Sequence, residues 1–263
     1  MRDRYANLRE GLVGAWCPSI RGSGFTLPDL SGYGNHGTLT NMASDDWVSG
    51  QYGRALDFDG SNDRVRLPDN YLRTAQSGCI SAWVKFNGAG TNQNPIVSLG
   101  GNANLTVFAF RRFDTAGVFQ NAIELRIFSS PDIDIYSTDK IDNGIWSHAL
   151  VQSDGTKYGM FVNGKKQTIV VAAGSDSGDW IGDMTGTTGS TVCDIGAQFA
   201  AGALFSSMNG QTDDIRIYNR ALSESEIRIL ASRPGIGLVP QRRVVYDAPK
   251  TRRRNHALIG NMF

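Results

Sequence analysis

DDIRIYNRALSESEI, Asp213 to Ile227, sets out a strand, a turn and a capped helix in fifteen residues. Ile215 and Ile217 alternate with Arg216 and Tyr218, the period-two pattern of a half-buried strand. Asn219-Arg220 breaks the alternation. Ser223 stands three residues before Glu226, the spacing of a capping box, and Ile227 and Leu230 supply an apolar stripe. Arg233-Pro234-Gly235 ends the helix, because proline lacks the N–H that a helix needs. No other segment reads convincingly as helix, so the pattern predicts a nearly all-β chain closed by one strand–helix unit.

Outward from that unit the chain is a series of short alternations separated by turn residues. Leu12 to Trp16 reads as a first strand, followed by a long turn-rich loop, Pro28 to Asn41. Ile80, Ala82, Val84 and Phe86 share one strand face, with Trp83 on the other. Asn163-Gly164 between two apolar runs is a hairpin signal, because both central positions of that turn need positive φ. Glycine is 31 of 263 residues, well above its usual share, which fits many turns. More than ten such strands predict an all-β, two-sheet antiparallel β-sandwich of jelly-roll type, with one short C-terminal helix and extended terminal arms. The expected division is an N-terminal arm over 1–10, the jelly roll over 11–232 and a basic C-terminal arm over 233–263.

Composition excludes several classes. No run approaches the roughly 18 apolar residues of a membrane span. The opening MRDRYANLRE lacks the apolar region of a signal peptide. Three widely spaced cysteines, Cys17, Cys79 and Cys193, fit neither a disulfide framework nor a zinc site and read as buried thiols, which predicts synthesis in a reducing cytoplasm. The net charge of +1 hides an asymmetry: from Ala231 onward seven Lys/Arg face one acid, Asp247, so that segment carries +6 and the first 230 residues −5. A basic end on an acidic body suggests a separate partner for that end.

The segments GLVGAW, DLSGYGNHGTL, WVSGQYGRALDFDG, ISAWVKF, WSHALV, DGTKYGMFVNGK, DIGA and DDIRIYNRALSESEI occur in the order seen in laminin-G-like, concanavalin-A-like jelly-roll domains. The resemblance covers roughly Gly11 to Ser232. It implies the sandwich fold but leaves function open, because this architecture hosts lectins, adhesion modules, glycosidases and capsid parts. The C-terminal stretch from Ala231 resembles basic extensions on laminin-G-like proteins encoded by bacteriophages.

Four chemistries are open to these residues. Retaining glycosidases need two carboxylates about 5–5.5 Å apart, and the chain has only four Glu, of which Glu124 alone lies in the body's strands. Arg126, on the same strand face, is its expected partner, and Asp132 and Asp134 read as a solvated face; no enzyme is expected. His148, alternating with Trp146 and Leu150, reads as a satisfied histidine, and His36 as a cap for loop backbone. Relatives of the fold hold structural calcium near oxygen-rich loops, which makes Asp29, Asn35, Asp213 and Asp214 the candidate Ca2+ ligands, against the reading that these carboxylates bind turn N–H groups. A glycan or partner surface would use aromatics, with Trp47, Trp83 and Trp180 the candidates, and Tyr33 and Tyr52 beside them.

The basic end also carries apolar residues that a disordered or purely nucleic-acid-binding segment would lack. Arg242, Arg243, Tyr246, Arg252, Arg253, Arg254 and Phe263 are therefore expected to form an assembly arm, with nucleic acid and membrane not expected as partners. A phage particle reconciles an extracellular-type module with the absence of a signal: its proteins fold in host cytoplasm and reach the outside by lysis. The leading expectation is a non-enzymatic virion structural or decoration protein of a bacteriophage, displaying a lectin-like jelly roll and held by its arms to capsid or tail proteins in a larger assembly. A carbohydrate-binding lectin or adhesion module is the alternative, and a glycoside hydrolase of the same fold the second.

Overall fold

The computed structural model describes residues 5–22, 24–68, 72, 74–88, 93–101, 106–130, 132–184 and 191–238. Its strands are β1 (Leu12–Trp16), β2 (Thr26–Leu27), β3 (Gly37–Thr40), β4 (Trp47–Ser49), β5 (Arg54–Asp59), β6 (Arg64–Leu67), β7 (Gly78–Phe86), β8 (Asn94–Gly101), β9 (Val107–Arg112) and β10 (Ala122–Phe128). They continue as β11 (Ile133–Lys140), β12 (Ser147–Ser153), β13 (Tyr158–Val162), β14 (Lys165–Lys166), β15 (Ile169–Ala173), β16 (Thr191–Ile195), β17 (Ala197–Ala200), β18 (Ala203–Ser207) and β19 (Asn209–Tyr218), before the helix α1 (Glu224–Leu230).

Two large antiparallel sheets form the expected sandwich. The larger runs β15-β11-β10-β9-β8-β16-β6-β3-β2; the smaller runs β14-β13-β12-β7-β19-β5-β4, with β1 also paired to β19. Strand alternation fills the space between them. Ile123, Leu125 and Ile127 from β10, and Phe108 and Phe110 from β9, join Ile80, Val84 and Phe86 of β7 in one buried cluster. Each such side chain contributes about 1.5–3 kcal/mol by leaving water, which makes this layer the main source of stability.

A second apolar layer covers the outside of the smaller sheet. Cys79, Leu150, Phe161 and Tyr218 point outward there and meet Leu8, Leu222, Ile227, Leu230, Ile236 and Leu238. This layer explains why β7 is apolar on both faces. The Asn163-Gly164 turn forms with φ of 51° and 75°. The capping box also forms, with Glu226 N donating to Ser223 Oγ at 3.4 Å and Ser223 N to Glu226 Oε2 at 2.8 Å, contributing about 1 kcal/mol. All three cysteines are buried free thiols.

The described parts of the expected arms, 5–10 and 233–238, lie against the body. Residues Ala6–Arg9 make one 3-10 turn whose Leu8 is fully buried. After α1 the chain stays on the body: Ile236 and Leu238 are buried. Gly235 N donates to Asp214 Oδ2 at 2.8 Å, Arg216 Nη2 donates to the Ile236 carbonyl at 2.7 Å, and Arg9 Nη2 to the Leu238 carbonyl at 2.9 Å. A segment that buries apolar side chains and completes a buried ion pair belongs to the folded body, which therefore extends past the boundary expected after Ser232, at least to Leu238. Arg242, Arg243, Tyr246, Arg252, Arg253, Arg254 and Phe263 lie outside the described residues.

Candidate functional site

The outer face of the larger sheet carries a row of paired polar and charged side chains. Because β6 and its neighbours point Val65, Leu67, Leu39 and Ile195 inward, the alternate positions face out. Directly paired residues then run in one row across the sheet: Thr38, Arg66, Asp194, Ser98, Ala109, Arg126 and Asp134.

The β17–β18 hairpin folds over the middle of this face. Ser98 Oγ donates to the Ala197 carbonyl at 2.7 Å, and Arg111 Nη1 to Gln198 Oε1 at 2.9 Å. Gly100 is required beneath it, since a Cβ there would stand 2.1 Å from the Phe199 carbonyl oxygen. The hairpin divides the face into two polar regions.

On the β10–β11 side, Arg111 holds Glu124 through Nε–Oε2 at 2.8 Å and Nη2–Oε1 at 2.7 Å. Tyr136 Oη lies 3.4 Å from Glu124 Oε1 and donates to Asp134 Oδ2 at 3.1 Å. Phe119 stacks on Tyr136 at 4.2 Å between centroids and Phe113 meets its edge. Burial, then the charge of Glu124, pushes the Asp134 carboxyl up to about 6. Glu124 has no exposed surface, and the fork from Arg111 occupies both of its oxygens. A nucleophile or general acid must reach its substrate, and this carboxylate is committed to holding β9 against β10. The expected Glu124–Arg126 partnership is thereby corrected: Arg126 instead pairs with Asp132 and donates to the Ile127 and Ile133 carbonyls.

On the β3–β6 side, Arg66 Nε binds Asp194 Oδ1 at 2.6 Å. The guanidinium carbons of Arg64 and Arg66 lie 5.3 and 5.4 Å from the centroid of the half-buried Phe199 ring. Thr38 and Thr40 are the β3 partners of Arg66 and Arg64, and Leu204 and Phe205 of the same hairpin are exposed. An aromatic ring flanked by guanidinium groups and hydroxyls can receive the apolar face of a polar ring and bond its rim.

The residues singled out in the sequence lie elsewhere. Trp47, Trp83 and Trp180 are all buried. Trp47 Nε1 donates to the Gly24 carbonyl, Trp83 Nε1 to the Leu230 carbonyl, and Trp180 packs edge-on against Phe108 at 4.9 Å. They are packing residues and offer no surface to a ligand; Tyr33 and Tyr52 are exposed. His148 is buried, with Nε2 2.8 Å from Ser81 Oγ, and burial lowers it to about 3. His36 Nδ1 accepts the Asp29 N–H at 3.0 Å.

The proposed calcium ligands do not fit a shared ion. Asp29 Oδ1 accepts from Ala15 N and Ser31 N, and Oδ2 from Ser31 Oγ and Asn35 N, all within 2.7–2.9 Å. Asn35 Nδ2 donates to the Val13 carbonyl. Asp214 is forked by Arg216 at 2.7 and 2.9 Å, and Asp213 Oδ1 accepts from Ser19 N and Asp214 N. The Asp29 and Asp214 oxygens face hydrogen-bond donors, the opposite of what a cation requires, and of the Asp213 carboxylate only Oδ2 is left without a partner. Among the described residues no three His, Cys, Asp or Glu side chains cluster at metal-binding spacing.

Arg64, Arg66, Arg111 and Phe199 were missed by the sequence reading. The signal for the first two was present: in RVRL both outward positions of the strand are arginine. Phe199 gave none, because its neighbourhood depends on a hairpin that crosses the sheet.

A family model described as the concanavalin A-like lectin/glucanases superfamily matches residues 59–228. No curated protein matches the chain. Among solved structures, domain 4 of AbnA, a GH43 extracellular arabinanase from Geobacillus stearothermophilus, in complex with arabinotriose, is similar at a TM-score of 0.63 and 21% identity, over 84% of this chain and 98% of that one. The binding domain of Paraclostridial Mosquitocidal Protein 1 is similar at 0.59 and 17%, over 85% of this chain and 52% of that one, so the chain spans about half of it. The CBM40 of a Ruminococcus gnavus IT-sialidase, bound to α2,3-sialyllactose, is similar at 0.52 and 13%, over 67% and 92%. At these identities the likeness is one of fold.

Proposed function

The chain belongs to the concanavalin A-like lectin/glucanases superfamily, and on that premise we propose that it is a non-enzymatic glycan-binding domain. The observation that carries this reading is the half-buried Phe199 ring beside the guanidinium groups of Arg64 and Arg66, on a sheet face that also presents Thr38 and Thr40. Saccharides are held by such a combination: an aromatic surface for the apolar sugar face and a few placed donors and acceptors for its hydroxyls. Two neighbours in fold were solved with oligosaccharides bound, which supports a saccharide as the ligand class. Glu124, buried in the grip of Arg111, supports binding over hydrolysis. A glycan array compared between the wild type and Phe199→Ala tests the reading. Binding that falls at least tenfold in a variant that still unfolds cooperatively supports it; array binding indifferent to Phe199 removes it.

Display on a bacteriophage particle is the finer proposal. Residues 239–263 hold six Lys/Arg against one Asp. Leu238, where they begin, packs on the outside of the smaller sheet, so the anchor would leave from the side opposite the glycan-facing sheet. An anchor behind and a binding face in front suit a decoration protein. Co-purification with particles, lost on truncation after Leu238, tests it; full occupancy by the truncated protein rejects it.

A further inference from the structure

The outer face of the larger sheet balances its arginines with one exception. Arg66 pairs with Asp194, Arg111 with Glu124 and Arg126 with Asp132. Arg64 has no carboxylate partner among the described residues. Its Nη1 donates to the Asn62 carbonyl at 3.2 Å, while its Nε is buried without a hydrogen-bond partner. The neighbouring Asp63 is turned to the Asp59 N–H instead. Arg64 is thus a half-buried cation that no carboxylate neutralises among the described residues, beside the Phe199 ring and opposite Thr40 across the β3–β6 pair.

Charge decides what such a site selects. A neutral sugar laid on Phe199 would strip water from Arg64 and return no counter-charge, which is costly. An acidic sugar returns that charge through charge-assisted hydrogen bonds, roughly twice as strong as neutral ones. We propose that Arg64, with Thr40 and Phe199, receives the carboxylate or sulfate of an acidic saccharide, and that this group sets the specificity of the domain. The inference rests on the glycan-binding reading above and names its ligand class.

The test is a glycan array with carboxylated, sulfated and neutral members, read with the full chain, Arg64→Gln and, as a control on the other sheet, Arg54→Gln. The expected result is at least tenfold preference for acidic over neutral members, lost in Arg64→Gln and kept in Arg54→Gln, with all three melting alike. The carboxylated and sulfated members show which anion is favoured. The basic residues after 238 also attract anions, so acid preference that survives Arg64→Gln belongs to them and overturns the inference. Phe199-dependent binding without acid preference also overturns it and leaves the glycan-binding reading standing. Binding to no member overturns both.

Discussion

Arg111 and Glu124 face each other across β9 and β10 and share two parallel hydrogen bonds of 2.8 and 2.7 Å, with both side chains almost wholly out of water. Removing one member of such a pair leaves an uncompensated buried charge, at a cost of about 3–5 kcal/mol. Glu124→Gln is therefore expected to lose roughly that much stability in denaturant unfolding. Replacing both members by apolar residues of similar size, Arg111→Met with Glu124→Leu, is expected to recover most of the loss. A stable Glu124→Gln protein would show that the pair does not hold the sheet.

Asp213 makes stability depend on pH. Burial, then the charge of Asp214, raises its carboxyl from 3.8 to about 7. Between those values the folded state keeps a proton that the unfolded chain has lost, so this stabilisation is complete below about 4 and is lost as pH rises through about 7. His148 works the other way: lowered from 6.5 to about 3 by burial, it stabilises above about 6.5 and the gain is lost as pH falls toward 3. Asp213→Asn keeps the acceptor for Ser19 N and Asp214 N without the ionisable proton. Its melting temperature, measured against wild type, should be relatively higher at pH 8 than at pH 5. An equal difference at both values would mean that Asp213 is ionised throughout.

Trp180 and Phe199 separate packing from binding. Trp180 is buried against Phe108 and over Gly78, where a Cβ would meet its Nε1 at 2.6 Å. Trp180→Ala should cost about 3–5 kcal/mol, and the surviving folded protein should bind glycans as wild type does. Phe199→Ala should cost less in melting and reduce binding. The reverse pattern would return the site to the tryptophan.

What was legible in the sequence was whatever is local. Ser223 and Glu226 formed their box, Asn163-Gly164 its turn, and the alternation around Ile80 and Ile215 its buried faces, because each depends on residues a few positions apart. Trp83 falls on the face opposite Ile80, and a single strand cannot show that both of its faces are covered; here Leu230 lies over that face, its carbonyl accepting from Trp83 Nε1. The same reason put the domain boundary too early. Glu124 was given Arg126 as partner on spacing along one strand, whereas the cross-strand register delivers Arg111. The Phe199 site joins β6 to a hairpin more than a hundred residues later in the chain, a distance that periodicity cannot span.

The C-terminal boundary is open to direct measurement. Truncation after Leu238 keeps Ile236 and Leu238 on the second apolar layer and keeps the Gly235 and Ile236 backbone bonds to Asp214 and Arg216. Truncation after Ser232 removes both apolar side chains, each worth about 1.5–3 kcal/mol when fully buried, and uncovers the Asp214–Arg216 pair. Part of that loss is returned as chain entropy, so a net cost of a few kcal/mol is expected; in a domain of this size about 1 kcal/mol shifts melting by roughly 2–4 °C. The chain ending at Leu238 should therefore melt with the full chain, and the chain ending at Ser232 some 10 °C lower, or so. Changing Arg252, Arg253 and Arg254 together to Ser should leave melting unchanged while weakening any anchoring that the basic segment provides. If the two truncations melt alike, residues 233–238 rest on the body without stabilising it, and the arm begins where the helix ends.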